Sequence, residues 1–438
     1  MKLQYLLIIL LISALATPPS AAALSRPRAF EPLAPPAQDE SAQPHLQRAL
    51  AHFFNADFEP AIRGFRRALS ISPDLAEAYK YLGVCFVETG QLEDAIKTYQ
   101  QGLTHDTRDP ELHYFLGLAH LRLGNLEKTV AAYREALHHA PDYADLYFNL
   151  GVVYDLMGRY EDEIDAYQRY SELRPDSPEA HYNLGVVYGR MGKIEQEIFH
   201  YQRAVELSPE YADAFYNLAV AYGRAGRSDE ELGAYQAAIQ ARPDFAEAHY
   251  NLAIARKERG DLEGAIDSYL AAIDANPGDA RSLHNLGVVY GRLGRLEDEI
   301  EAYRAALKVN PDDADTHYNL GIAYSDLGDN AGAVVEYRAA LQLSPKHANA
   351  RHNMAVAYQR LVYQAMADDN VEQVLSLVRE IASLSEPRTL PTLREAYLWA
   401  GGRVSGHSTP QERTSYDQLM SEVVQALKGM GVAAQFDR

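Results

Sequence analysis

The 438 residues include one cysteine, Cys85, and one tryptophan, Trp399. A single thiol cannot close a disulfide within the chain, and its apolar setting (Tyr81, Leu82, Val84, Phe86, Val87) reads as inert packing, not as a nucleophile. Positive charge is also scarce. Against 61 Asp and Glu stand 41 Lys and Arg, a formal net charge of -20 with no basic run, which argues against nucleic acid and anionic lipid as partners. There is no HExxH, no CxxC, no Gly-rich phosphate loop and no Gly-x-Ser-x-Gly, so the sequence offers neither a metal nor a cofactor site and is not expected to encode an enzyme.

Long apolar runs are missing too. The run from Tyr5 to Ala16 is shorter than the roughly 17 to 25 residues of a membrane-spanning helix. Headed by Lys2 and followed by the small-residue stretches Ala14-Leu15-Ala16 and Ala21-Ala22-Ala23, it reads as an export signal over residues 1–23, with an uncleaved anchor as the alternative. The expected location is periplasmic or secreted. No cysteine follows the run, so a lipid-modified form is excluded. Residues 17–44 carry seven of the 21 prolines, which makes residues 24–41 a linker in place of a packed element.

What is abundant is period. One pattern recurs every 34 residues from about residue 42 to 347: Tyr99, Tyr133, Tyr167, Tyr201, Tyr235, Tyr269, Tyr303 and Tyr337 mark it, and Gly90 through Gly328 and Pro141 through Pro345 run in step. Each unit reads as two helices, with apolar residues at three- and four-residue spacing, a glycine for the left-handed turn and a proline that stops the second helix. In residues 178–211, Leu184, Val187 and Tyr188 form one stripe, Gly192 breaks the helix, Ile198, Tyr201 and Val205 form the next, and Pro209 follows.

Asn183-Leu184-Gly185, Tyr188, Gly192, Tyr201, Ala204 and Pro209 resemble the tetratricopeptide consensus. The match covers nine units and a tenth first helix, residues 42–361. The resemblance implies an all-α, right-handed superhelical solenoid whose first helices line a concave groove. Residues 362–438 lose the period; the amphipathic stretch Asn370 to Leu384 and a last helix, Gln411 to Lys428, read as a C-terminal helical cap, with Trp399 in the core of that cap.

Asparagine occupies one repeat position in seven consecutive units: Asn149, Asn183, Asn217, Asn251, Asn285, Asn319 and Asn353. Helical propensity would not place it mid-helix so often. Its amide donates and accepts, which matches one peptide unit of an extended chain. The pattern is similar to the asparagine ladder in the repeat region of O-linked N-acetylglucosamine transferase, which implies a grip on ligand main chain; nothing here resembles that enzyme's catalytic part. Duplication, or a bond between repeats, would also account for the row. Beside it runs an aromatic row, Tyr114, Phe148, Tyr182, Tyr216, Tyr250 and Tyr318, with His284 and His352 in register, suited to a wet interface or to packing. The family's terminal-carboxylate clamp is not supported, since Leu46, Lys80, Val84 and Leu118 hold the matching places.

Two further patterns carry expectations. His45, His113, His181, His249 and His317 recur in alternate units, too far apart to share a metal. Glu197, Glu231 and Glu299 accompany Arg190, Arg224 and Arg292, each behind a glycine, which predicts an ion pair across each hairpin. The functional expectation is a non-catalytic scaffold outside the cytoplasm that binds protein or extended peptide partners. The alternative is an accessory assembly subunit of an envelope secretion, pilus or polysaccharide machine.

Overall fold

The computed structural model describes residues 41–384, 389–404 and 409–430. The export signal and nearly all of the linker lie outside these residues. Among the described residues every regular element is an α-helix, beginning with Ala42–Phe54 and Phe58–Ile71 and ending with Pro410–Gly429. None is long and apolar enough to cross a membrane. The chain divides into two compact halves, one ending at Ala214 and the other starting at Phe215.

Helix pairs follow the 34-residue period. In the fifth repeat, Pro178–Arg190 packs antiparallel to Ile194–Leu207; in the eighth, Ala280–Arg292 packs against Leu296–Val309. The turn glycines all take positive φ, from 66° at Gly158 to 88° at Gly328, where a side chain would be strained. Gly192 N–H donates to Gly189 C=O and Lys193 N–H to Tyr188 C=O, closing the helix end. The first repeat uses Ala56, at φ 59°, in the same place.

The periodic tyrosines are the keystones of the core. Tyr99, Tyr133, Tyr269 and Tyr337 are at most 1% exposed. Each ring lies on the first helix of its own hairpin, and in six repeats the Leu-Gly pair makes room for it: a Cβ on Gly185 would stand 2.6 Å from the Tyr201 ring, whereas fully buried Ala219 and Ala253 take the glycine's place before Tyr235 and Tyr269. Where it occurs, the glycine in mid-helix, poor in propensity, is held by this close packing. Cys85 is fully buried, and burial pushes its thiol up to about 12, in keeping with an inert packing role.

The C-terminal half ends in a different manner. The tenth first helix continues through to Ala367, and Asp369, at φ 53°, supplies the turn before Val371–Leu384, so a tenth hairpin forms with a longer first arm. Leu390–Val404 and Pro410–Gly429 then close its apolar face with Leu393, Ala396, Leu419, Val423 and Leu427, all fully buried around Val378 and Ile381. Thr409 and Glu412 form a capping box at the start of the last helix. The Arg379 guanidinium grips Glu422 through two bonds of 2.6 and 2.7 Å. Trp399 packs edge-on to Tyr416, with centroids 5.4 Å apart, inside this cap.

Candidate functional site

The asparagine and tyrosine rows occupy adjacent positions on the first helices, so the tyrosine of one repeat points at the asparagine of the next. Asn251 Nδ2 donates to Tyr216 Oη at 2.8 Å, Asn285 Nδ2 to Tyr250 Oη at 3.3 Å and Asn353 Nδ2 to Tyr318 Oη at 3.3 Å. Tyr114 is bonded to Asn149 in the same way, and Asn217 is not free either. The amides of Asn149, Asn251, Asn285 and Asn353 bridge consecutive repeats. Asn149 is only 8% exposed, and Asn285 is saturated: it also donates to Arg281 C=O at 3.0 Å and accepts from Lys257 Nζ at 3.3 Å.

Two positions break the pattern for a chemical reason. Asn183 follows Phe148, which has no hydroxyl, and Asn319 follows His284, whose Nδ1 donates instead to Thr316 Oγ1 at 2.6 Å. The Thr316 hydroxyl in turn donates to Asp313. Among the described residues neither Asn183 nor Asn319 has a side-chain hydrogen bond, and both are half-buried, within reach of solvent. Of the seven equivalent positions, Asn149, Asn251, Asn285 and Asn353 hold bridging amides and Asn183 and Asn319 are open. One in each half is open.

The tyrosine row is half-buried and engaged on both sides. Tyr182 packs on Tyr201 and Tyr211, Tyr216 on Tyr235 and Phe245, Tyr250 on Tyr269, and Tyr318 on Tyr337 and His347, with centroids 4.6 to 6.0 Å apart. Desolvation raises the Tyr216 phenol above its usual range, while the bond from Asn251 opposes the shift. Ring packing holds each tyrosine within its own repeat, while the Tyr-to-Asn bond reaches the next.

The expected hairpin ion pair does not form. Arg190 reaches Asp155 of the preceding repeat instead, and Arg292 and Glu299 make no ion pair among the described residues. The glycine before each arginine explains the correlation. A Cβ on Gly189, Gly223 or Gly291 would stand 2.7 Å from the carboxylate oxygen of Glu197, Glu231 or Glu299, so the glycine clears space for the carboxylate to lie on helix backbone. Repeats with Ala95, Ala265 and Ala333 need no such space, and they carry Val87, Lys257 and Ser325 there.

Burial then raises these carboxyls. Desolvation, with Asp326 nearby, pushes Glu299 up to about 7, and desolvation alone takes Glu163, 2% exposed and with one oxygen unsatisfied, to about 8. Glu231 is raised by the same cause. These are structural acids, set between the two helices of their hairpins. The Gly-x7-Glu spacing reveals Glu197, Glu231 and Glu299 but not Glu163, which has Asp155 eight residues earlier.

Family models for tetratricopeptide repeats match residues 85–124, 114–178, 190–226, 213–244, 234–267, 255–294, 292–328 and 323–362. The chain belongs to the tetratricopeptide repeat family. Every family model that matches is of this kind, and none is catalytic. A comparison with curated proteins finds no match. Among solved structures, YrrB, described as a TPR protein with an unusual peptide-binding site, is 20% identical with a TM-score of 0.40, covering 43% of this chain and 97% of its own. A MamA structure is 26% identical with a TM-score of 0.37, covering 40% and 95%. MamA from Desulfovibrio magneticus RS-1 is 20% identical with a TM-score of 0.36, covering 39% and 97%.

Proposed function

We propose that this tetratricopeptide repeat chain is a non-catalytic scaffold outside the cytoplasm that holds extended segments of partner polypeptides, and that the hold is concentrated at Asn183 and Asn319. The observation that carries this reading is the split of one repeat position into bridging and open amides. An amide already bonded to a tyrosine hydroxyl contributes to the stack. An open one has its full complement of two donors and a carbonyl for a partner's peptide unit. Half-buried, it would form that bond away from bulk water, where the bond is stronger. The location rests on Lys2 and the apolar run Tyr5 to Ala16.

Titration of fluorescein-labelled, uncharged, unstructured peptides by anisotropy tests the split. Each lost bond is worth on the order of 0.5–1.5 kcal/mol, so Asn183→Ala with Asn319→Ala should weaken binding by roughly ten- to a hundredfold. Asn251→Ala should leave peptide affinity nearly unchanged. Equal losses in both variants, or none in either, would refute it. N-terminal sequencing of the mature protein checks the export reading, which intact Met1 in a soluble cytoplasmic fraction would overturn.

A further inference from the structure

We propose that His113, Glu135 and His139 form a binding site for a borderline divalent metal ion of the zinc class. The three lie within the third repeat, His113 on Pro110–Arg122 and the other two on Leu126–His139, and each offers a ligand atom within 4.8 Å of the others. Glu135 and His139 are four residues apart, one above the other on the same helix face. The His139 Nε2 stands 3.6 Å from Glu135 Oε1, and the His113 and His139 rings lie nearly parallel with centroids 6.0 Å apart. Two nitrogens and a carboxylate oxygen are the donor set that borderline divalent ions prefer.

The orientation of His113 is fixed in the manner of a ligand. Its Nε2 stands 3.0 Å from the Thr107 carbonyl oxygen, which can only accept, so Nε2 carries the proton and Nδ1 of the neutral ring presents its lone pair. A ring N–H held by a backbone carbonyl is the usual outer support of a metal-bound histidine. The support is a property of the repeat: His249 Nε2 and His317 Nε2 meet the carbonyls of Pro243 and Pro311 at 2.9 and 3.0 Å. What differs is the group beside the ring. His317 Nδ1 meets Glu336 at 2.6 Å, and His181 Nδ1 meets His200 Nδ1 at 3.1 Å, so each has a single potential metal donor beside it. Among the described residues the third repeat alone brings three such donors together.

This site escapes the argument that histidines in alternate repeats stand too far apart to share an ion, because it forms inside one hairpin. Two of its donors, Glu135 and His139, do not follow the 68-residue spacing. Three protein ligands leave at least one coordination position for water or for a group from a partner. The net charge of -20 favours the approach of a cation.

The test uses the full mature chain without a polyhistidine tag, stripped with chelator and titrated with Co2+ alone. Binding of one ion, with visible absorption characteristic of low-symmetry coordination and displacement by Zn2+, is the expected result. Loss of His113 or His139 as Asn, or of Glu135 as Gln, should weaken binding by about tenfold or more, while His200→Asn should not. Helical circular dichroism of each variant separates ligand loss from misfolding, and Glu135→Gln, at an exposed position, cannot act by unfolding the core. Absence of the Co2+ spectrum, or a spectrum lost in His200→Asn and retained in the other three variants, overturns the assignment.

Discussion

The eighth repeat, Ala280–Val309, and the ninth, Ala314–Leu343, follow one another in the C-terminal half and share the same helix lengths to within a residue. They use the same positions differently. In the eighth, Asn285 is saturated by Tyr250, Arg281 and Lys257, and a buried carboxyl, Glu299, lies over Gly291. In the ninth, Asn319 stands open behind His284, and Ala333, fully buried, takes the carboxyl's place. A repeat position therefore fixes where a side chain sits but not what it does. The neighbour decides: a hydroxyl one repeat earlier turns an asparagine into a bridge, and a glycine eight residues earlier admits a carboxyl.

The widest difference between the two repeats should appear on changing pH. Glu299 holds its proton up to about 7 in the folded chain, against an ordinary glutamate value of 4.5. Between those values the folded state retains a proton that the unfolded state has lost, so stability falls as pH rises through the window. The expected loss at this site is about 1 to 3 kcal/mol, reckoned at about 1.4 kcal/mol per unit. Glu299→Ala, which copies Ala333, should be more stable than the parent at pH 8 and lose that advantage at about pH 4, as read by urea unfolding followed by circular dichroism. A difference independent of pH would mean that the carboxyl is ionised in the folded state. Glu163, raised to about 8, should give a loss of the same sign over a wider pH window and so a larger total.

Alanine at the two asparagines should separate bridging from open amides by a smaller margin. Asn285→Ala strands the Tyr250 hydroxyl and Lys257 in part-buried positions and should cost about 1 to 2 kcal/mol. Asn319→Ala removes no bond and inserts the better helix former, so its effect should lie within about 0.5 kcal/mol of zero or be slightly stabilising. Tyr250→Phe combined with Asn285→Ala should lose less than the sum of the single changes, by about 0.5 kcal/mol or more. Additivity would show that the two side chains act independently.

Much of this was legible in the amino-acid sequence, for reasons that follow from period. Eight tyrosines, eight turn glycines and seven prolines at one spacing leave a helical hairpin as the only element compatible with all three, and the described helices follow it. A bond between repeats is one reading the row allows, but which asparagines bridge and which stand open is not legible, because the deciding contact joins residues 35 apart in different repeats. The Arg and Glu correlation was read as a charge pair when its third member, glycine, was the physical cause; Arg190 turns to Asp155 because that carboxylate stands on the adjacent first helix. The end of the period near Leu361 marks an elongated tenth helix, whose turn falls at Asp369 instead of at a glycine in register. A longer helix shifts every later residue out of step while the hairpin persists.

The smallest expected effect bears most directly on function. His284→Tyr would place a hydroxyl one repeat ahead of Asn319, as Tyr250 does for Asn285, and so convert the ninth repeat to the pattern of the eighth. The substituted ring occupies a position already held by tyrosine in the repeats on either side, Tyr250 and Tyr318, so the fold should accept it. It removes the bond from His284 to Thr316, but the Thr316 hydroxyl keeps Asp313 as its acceptor, so no buried hydroxyl is stranded. Stability should change by less than about 1 kcal/mol, the balance of one hydrogen bond lost and one gained. Peptide affinity should fall by roughly three- to tenfold, since the amide then competes with an internal partner. The converse change, Tyr250→Phe, frees one donor of Asn285 but leaves its bonds to Arg281 and Lys257, so affinity should rise little. An unaltered affinity in His284→Tyr, with Asn319→Ala equally silent, would leave the ninth repeat a spacer and remove this half of the proposed grip.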